Sequence, residues 1–148
     1  MPLIRCAEER DLDRICVFLS MNLEYFSPDV LNFFRSQWPG GQILAEDVFG
    51  NLLGVLCGSV TGKGACISLF AVDKGSRRKG VGSSLLEAFC RECFMRGYRT
   101  VTLEVRTDNM NAIAFYESKG FFRTEFLSGF YNDGGDAYRM ELRICRTG

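Results

Sequence analysis

The apolar and polar positions of the N-terminal third predict one strand followed by two helices. Leu3 to Cys6 reads as a short strand, and the acidic stretch Glu8 to Asp11 suits the start of a helix. Apolar residues then recur at helical spacing, at Leu12, Ile15, Cys16 and Leu19. Ser27-Pro28 matches the N-cap and first position of a second helix, which Pro39-Gly40-Gly41 ends.

The following segment predicts a meander of three strands with turns at Gly50-Asn51 and at Thr61 to Gly64. The strands are Gln42 to Val48, Leu52 to Val60, and Ala65 to Val72. The third of them is apolar on both faces, which is typical of a central strand.

The second half of the chain alternates helices with strands. A polar loop, Asp73 to Gly82, leads into an amphipathic helix that begins around Val81 and ends at Gly97. Its apolar stripe consists of Leu85, Leu86, Phe89, Cys90, Cys93 and Phe94. A strand, a short helix stopped by Gly120, and two last strands follow, at Thr100 to Val105, Asn111 to Lys119, Phe121 to Phe130, and Ala137 to Ile144. The order β-α-α-β-β-β-α-β-α-β-β predicts a mixed α/β fold in a single domain, 1–148.

Composition narrows the classes of function. Lys plus Arg and Asp plus Glu each number 18, so net charge gives no case for a nucleic acid or a membrane surface as partner. Histidine is absent, which excludes a catalytic histidine and a histidine-liganded metal, and we expect no metal site. Without a signal pattern or a long apolar run, the expected location is cytoplasmic.

The seven cysteines do not point to a further class of function. With no secretion pattern, we expect Cys6, Cys16, Cys57, Cys66, Cys90, Cys93 and Cys145 to be reduced residues of the core. The pair Cys90 and Cys93 forms a C-x-x-C in mid-helix on the apolar stripe, which favours packing over redox chemistry or zinc binding.

The loop after the central strand carries the strongest chemical signal. Leu69 to Val72 is followed by Arg77-Arg78-Lys79-Gly80-Val81-Gly82 and then by a helix. Free N–H groups at a helix start, glycines that allow close approach, and three cations favour a phosphate or pyrophosphate. The third glycine of a dinucleotide fingerprint and the Gly-Lys-Ser/Thr of a nucleotide P-loop are missing here. A plain surface turn with solvated charges remains the alternative.

Two motifs together resemble the GNAT N-acetyltransferase superfamily. Arg77-x-x-Gly80-x-Gly82 after an apolar strand is similar to its acetyl-CoA signature. Leu103-Glu104-Val105-Arg106, then Asn109 to Tyr116 and Lys119-Gly120-Phe121, is similar to the second half of its core, and the likeness runs from about Cys66 to Leu142. By eye, the ribosomal-protein alanine acetyltransferases and archaeal protein N-terminal acetyltransferases are the most similar. The resemblance implies the GNAT fold, with six to seven strands and about four helices, and acetyl-CoA as co-substrate.

The resemblance also assigns residues to the cofactor. It implies that the strand Phe70, Ala71 and Val72 offers backbone groups to the pantetheine arm. It places the pyrophosphate on the loop amides and signature positions Arg77, Arg78, Lys79, Gly80, Val81, Gly82 and Ser83. Asn109 matches a further cofactor contact, and Tyr116 lies near the thioester sulfur. A helix cap is the other interpretation of Asn109.

For the chemistry, a neutral amine must attack the thioester. The resemblance gives oxyanion stabilisation to a backbone N–H of the strand, that of Val72. Tyr116 suits the acid role and Glu104 the base role, directly or through water. A core aromatic and a surface strand residue paired with an arginine, respectively, are the other interpretations of these two side chains.

The acceptor is less well defined. Tyr131, before the last strand, matches a tyrosine that touches the peptide in protein N-terminal acetyltransferases, although a turn aromatic over the sheet edge would look the same. Three functions stay open: acetylation of a protein α-amine, acetylation of a small amine or lysine side chain, and non-catalytic CoA binding as a sensor or subunit. At pH 7 roughly 10% of α-amines but only about 0.04% of lysines are neutral, so an α-amine needs less help from a base. Phe121-Phe122 and Phe126 fit either a monomer's core face or a homodimer contact.

Overall fold

The computed structural model describes residues 2–62 and 64–144, and Cys145 lies outside them. Within that part of the chain, a seven-stranded sheet has the order β1-β2-β3-β4-β5-β7-β6. The strands are β1 (Leu3–Cys6), β2 (Gln42–Glu46), β3 (Leu52–Thr61), β4 (Gly64–Val72), β5 (Thr100–Arg106), β6 (Phe122–Leu127) and β7 (Ala137–Arg143). The α-helices are α1 (Leu12–Asn22), α2 (Pro28–Gln37), α3 (Val81–Met95) and α4 (Met110–Ser118). This mixed α/β architecture and the element order confirm the predicted fold class.

Sheet pairing follows the predicted meander. Strands β1 to β4 pair in antiparallel fashion, and β5, β7 and β6 form a second antiparallel group. The two groups meet at β4 and β5, which run parallel. Strand β4 is therefore central, as its two apolar faces predict.

Local signals set most helix boundaries where the sequence predicts them. Ser27 accepts a hydrogen bond from the N–H of Val30, and Pro28 is the first residue of α2. Asn109 caps α4 by accepting from the N–H of Ala112 at 3.2 Å. Helix α4 therefore begins at Met110, one residue before the predicted start.

Two strands end two or more residues earlier than predicted. Strand β2 ends at Glu46 and not Val48, because the Asp47 carboxylate accepts hydrogen bonds from the N–H groups of Phe49 and Asn51 and turns the chain. Val48 and Phe49 are left 78% and 86% exposed. Strand β6 ends at Leu127 and not Phe130.

The early end of β6 also has a local cause. Gly129 adopts a left-handed backbone with φ +61°, and its N–H donates to the Asp136 carboxylate. This contact turns the chain away from the ladder before Phe130 and opens the long loop that leads to β7.

A β-bulge in β4 divides its side chains between two cores. Cys57 pairs with Leu69 and Gly58 with Ile67, which leaves Ser68 as an extra residue. Ile67 consequently packs with α3, whereas Leu69 packs with α1 on the other face of the sheet. After the bulge, Phe70 and Val72 face the α3 side.

The cysteines of the described residues are free, but they are not all in the core. Cys16, Cys57 and Cys93 are buried, and Cys66 and Cys90 are half-buried. Cys6 is exposed, which corrects the prediction for that residue, because it is the last residue of β1, a strand at the edge of the sheet. Burial raises the pKa of Cys90 to about 11 and that of Cys93 to about 12, so both thiols stay protonated near neutral pH.

Within residues 2–62 and 64–144, no helix has the length and apolar character needed to cross a bilayer. The same residues bring together no group of three or more metal-ligating side chains.

Candidate active site

A cleft opens where the parallel strands β4 and β5 separate. Their pairing is confined to Ala65 with Val101 and Cys66 with Thr102. Beyond Cys66, β4 keeps its partner β3 but has no ladder to β5. A cavity of about 780 Å³ lies at this point, within the usual size range of small-molecule sites.

Most of the residues predicted from the sequence line this cavity. They are Phe70, Ala71, Val72, Arg77, Arg78, Gly80, Gly82, Ser83, Asn109 and Tyr116. Lys79 and Val81 are not among the lining residues: Val81 is buried in the core beneath the first turn of α3, and Lys79 is exposed. The sequence did not point to six further lining residues, namely Asn22, Leu23, Asn111, Ala112, Ala114 and Phe115.

The backbone of β4 is oriented toward the split. The N–H of Asp73 donates to the carbonyl of Leu53, one residue beyond the pair formed by Val72 and Gly54. In an antiparallel ladder, that pattern makes Val72 and Gly54 a non-hydrogen-bonded pair. The N–H and carbonyl of Val72 therefore point away from β3, as do those of Phe70 two residues earlier, whereas those of Ala71 face β3.

The start of α3 presents unpaired N–H groups to the cavity. Gly80 precedes the helix in a left-handed conformation, with φ +85°. The N–H of Ser84 makes the first helical hydrogen bond, to the Gly80 carbonyl. The three preceding N–H groups, those of residues 81–83, have no partner inside the helix, and the helix dipole adds partial positive charge there. Together with the Arg77 and Arg78 side chains, this end of the cavity is suited to an anion.

The loop between β4 and α3 is fixed by contacts at its β4 end. Asp73 accepts hydrogen bonds from the N–H of Gly75 and the hydroxyl of Ser76. The side chain of Asn22, at the end of α1, accepts from the N–H of Lys74 at 3.1 Å. Arg78 adopts a left-handed backbone with φ +65°, a conformation that residues with a Cβ hold only under restraint.

Tyr116 reaches the cavity from α4 within a cluster of aromatic rings. Its ring centroid lies 5.5 Å from that of Phe115, 5.4 Å from that of Phe121 and 6.3 Å from that of Phe70. Burial among these rings, with a smaller effect of Tyr131, raises the pKa of the Tyr116 phenol well above its usual value. The phenol is therefore a proton donor over the whole physiological pH range. None of the described residues accepts a hydrogen bond from its hydroxyl.

Glu104 is held by an arginine on the neighbouring strand. It lies opposite Arg139 in the β5–β7 ladder, and Nε of Arg139 donates to its carboxylate at 3.2 Å. The same guanidinium donates through Nη1 to Glu125 on β6 at 3.0 Å. Glu104 is thus one end of a charged row that crosses three strands, and it does not line the cavity.

Tyr131 lies in the loop between β6 and β7, next to the guanidinium of Arg106. The centre of that guanidinium is 4.1 Å from the centroid of the tyrosine ring. Burial raises the pKa of Tyr131, the positive charge of Arg106 opposes this, and Glu104 and Glu24 add to it. The charge of Glu24, from the loop between α1 and α2, therefore acts on Tyr131, an effect that the sequence analysis missed because no local pattern connects residues so far apart.

Comparison with known proteins defines the class of this enzyme. Residues 8–121 match the sequence model of the Acetyltransferase (GNAT) family, and the chain belongs to that family. It is similar to N-alpha-acetyltransferase 30 of Schizosaccharomyces pombe, with 32% identity over 136 residues, 88% of this chain and 91% of the relative.

Two solved structures give the same class. Ard1 from Thermoplasma volcanium superposes with a TM-score of 0.88 at 34% identity, covering 98% of this chain and 99% of that one. The ribosomal-protein-S18-alanine N-acetyltransferase from Escherichia coli gives 0.84 at 29% identity, covering 100% and 97%. The predicted resemblance is confirmed, and the chain is an N-acetyltransferase.

Proposed function

We propose that this enzyme transfers the acetyl group of acetyl-CoA to the α-amine at the N-terminus of a peptide. The observation that carries the proposal is the likeness, over nearly the whole chain, to N-alpha-acetyltransferase 30 of Schizosaccharomyces pombe and to the ribosomal-protein-S18-alanine N-acetyltransferase of Escherichia coli. Tyr131 of the β6–β7 loop adds support as the residue that contacts the acceptor, because it lies within electrostatic reach of Tyr116, Glu104 and Glu24.

The residues of the cleft fit acetyl-CoA. The free N–H groups at the start of α3, with Arg77 and Arg78, offer donors and charge for the pyrophosphate. The outward-facing backbone groups of Phe70 and the N–H of Val72 offer donors and an acceptor for the amide-containing pantetheine arm, while the Val72 carbonyl accepts from Nε of Arg77 at 3.3 Å. When bound, acetyl-CoA supplies a thioester whose carbonyl is open to attack by an amine.

The chain's own groups then manage charge and protons. The N–H of Val72 points into the split, where it can stabilise the negative charge that develops on the carbonyl oxygen. Tyr116, kept protonated by its aromatic surroundings, donates a proton to the departing thiolate. Glu104 accepts the proton of the amine through water, and Arg139 keeps its carboxylate oriented.

This proposal is tested by thiol release from acetyl-CoA with matched acceptors. One peptide has a free N-terminus and no lysine, a second has a blocked N-terminus and one lysine, and a panel of small amines completes the set. We expect turnover confined to the first peptide, and variation of its first residue would define the preferred client. Turnover with only the lysine peptide or the small amines would reject the α-amine assignment. Tight acetyl-CoA binding without any turnover would instead favour a CoA-binding sensor or subunit.

A further inference from the structure

The loop between β6 and β7 is organised around one guanidinium. Arg106 is the last residue of β5, and its side chain meets three parts of this loop. The Tyr131 ring stacks against it at 4.1 Å, and its Nη2 lies 3.1 Å from the Asp133 carboxylate. Gly135 passes so close that a Cβ there would stand 2.4 Å from Nη1.

The backbone of the loop closes around the same group. The N–H of Tyr131 donates to the carbonyl of Gly135, and the N–H of Gly134 donates to the carbonyl of Tyr131. The loop is tied to the end of β5 by the N–H of Thr107, which donates to the carbonyl of Asp136. No large apolar side chain of the loop is buried in either core. Apart from the edge-to-face contact of its ring with that of Phe130, at 5.0 Å between centroids, the position of Tyr131 therefore depends on polar and cation–π contacts.

We propose that Arg106 is a positioning residue that fixes Tyr131 beside the acceptor and so determines acceptor affinity. This inference rests on the acceptor role proposed above for Tyr131. Arg106 does not line the cofactor cavity, so its effect is confined to the acceptor side.

The chemistry of this contact requires an arginine. A planar guanidinium stacks on the phenol ring and bonds a carboxylate with its edge at the same time, which an ammonium cannot do. Asp133 also neutralises the charge of Arg106. The positive charge of Arg106 therefore does not repel the cationic amine of an acceptor that approaches the phenol of Tyr131.

The test is a double-mutant cycle in acceptor kinetics. Arg106→Met is expected to raise the acceptor KM about five- to tenfold, the size of an exposed cation–π contact with its ion pair, while the acetyl-CoA KM stays within about twofold. Adding Arg106→Met to Tyr131→Leu is expected to have no further effect, because the ring through which Arg106 acts is gone. Arg106→Lys, which keeps the charge but not the fork, is expected to restore part of the affinity.

Arg143 supplies a matched control on the same sheet. It also carries an ion pair, with Glu141, and stacks over an aromatic ring, that of Phe122 at 5.7 Å, but at the other end of the strands. Arg143→Met is expected to leave both KM values unchanged. Amide hydrogen exchange of residues 128–136 provides an independent readout, and we expect faster exchange in Arg106→Met than in Arg143→Met.

The outcomes separate the two proposals. Strictly additive losses in the cycle, or equal losses in acceptor and acetyl-CoA KM, would overturn the positioning role while leaving acetyl transfer to an α-amine intact. An unchanged acceptor KM in Tyr131→Leu would overturn both the acceptor role of Tyr131 and the inference for Arg106. If only the α-amine proposal fails, the enzyme will acetylate lysine peptides or small amines instead. The effects of Arg106→Met and Tyr131→Leu on the acceptor KM will then still be non-additive.

Discussion

At the scale of single residues, Tyr116 shows how its surroundings select one of two proton-transfer roles. A phenol with an ordinary pKa near 10 could act as an acid or, once ionised, as a base. The rings of Phe70, Phe115 and Phe121 disfavour the phenolate and raise the pKa, so only the acid role is available at assay pH. The same apolar surroundings account for the alternative interpretation of Tyr116 as a core aromatic, and this packing is compatible with the proposed acid role.

Replacing Tyr116 with phenylalanine should therefore separate binding from chemistry. We expect kcat to fall about 100-fold, as for loss of a general acid, with the acetyl-CoA Kd within about threefold because the ring contacts remain. Between pH 7 and pH 10, the kcat of neither protein should change because of titration of residue 116. Tyr138→Phe, on β7, is the control and should keep wild-type kcat. A wild-type kcat that rises with pH around pH 9, with the rise absent in Tyr116→Phe, would contradict the acid role, because it would show the phenolate acting as a base.

Glu104 allows a second prediction at the scale of single residues. Raising the pH should restore the activity that a Glu104 variant loses at neutral pH. If Glu104 only removes the proton from the acceptor ammonium, Glu104→Gln should lower kcat/KM about tenfold at pH 7, since roughly 10% of an α-amine is already neutral there. The deficit should shrink to less than about twofold by pH 9, where most of the α-amine is neutral. Glu141→Gln, which breaks the Glu141–Arg143 pair on the same strand as Arg139, serves as the control. A deficit that persists at pH 9 would mean that Glu104 acts in the attack itself.

At the scale of elements, the sequence predicted the parts whose signals are local. The loop and start of α3, the caps at Ser27 and Asn109, and the meander all depend on residues within a few positions of one another. The early ends of β2 and β6 were missed because Asp47 and Gly129 turn the chain while apolar residues continue beyond them.

Long-range features escaped the sequence for a different reason. The extra residue at Ser68 leaves an apolar run unbroken, so periodicity gives no sign of the bulge that exchanges the two faces of β4. The sequence offered an arginine partner as one interpretation of Glu104, but that the partner is Arg139 depends on a register between strands 35 residues apart. The effect of the Glu24 charge on Tyr131 depends on how two loops that are distant in the sequence fold. The lining of the cofactor cavity was thus largely predictable, whereas the surroundings of the acceptor were not.

Helix α3 allows an element-scale test of the anion site. It is flanked by Gly80 with φ +85° and Gly97 with φ +88°, and a Cβ at either position would have no other heavy atom within 4 Å. Alanine at either position meets the same left-handed strain, about 1 kcal/mol, and should lower the free energy of unfolding to a similar extent. Only Gly80→Ala should weaken acetyl-CoA binding, by several fold in a calorimetric titration. Equal weakening by both variants would indicate general loosening of α3 and no specific anion site at its start.

At the scale of the whole molecule, the two faces of the sheet have different tasks. One core packs α3 and α4 and supports the proposed cofactor side, while the other packs α1 and α2, which flank the loop that contains Glu24. Because that loop extends from α1, the acceptor side depends on how firmly α1 is held on the sheet. Besides hydrophobic packing, a charged network fixes α1: Asp11 and Glu46 share the guanidinium groups of Arg5 and Arg14.

This network makes a prediction about stability and pH. The Asp11 side chain is only 3% exposed, and both of its oxygens accept from Arg5, at 2.8 and 2.9 Å. The hydrogen bonds from Arg5 lower the pKa of Asp11 well below its usual range. Because the folded-state pKa lies below the unfolded value of about 3.9, this contribution to stability is complete above that pH and is lost as the pH falls toward the folded-state pKa.

Asp11→Asn should therefore lower the free energy of unfolding by roughly 3 kcal/mol at pH 7. This value is at the lower end of the range for breaking a buried ion pair, because Arg5 and Arg14 keep their ion pairs with Glu46 and remain partly exposed to solvent. Urea denaturation at pH 7 and at pH 3 would measure this difference. We expect the gap between the wild type and Asp11→Asn to be smaller at pH 3, since the wild type loses part of the contribution of Asp11 and the variant has none to lose. Asp13→Asn, an exposed position on α1, should change stability by less than about 0.5 kcal/mol at both pH values. A gap that stays constant between pH 7 and pH 3 would mean that Asp11 stabilises α1 through its shape and neutral hydrogen bonds, and not through its charge.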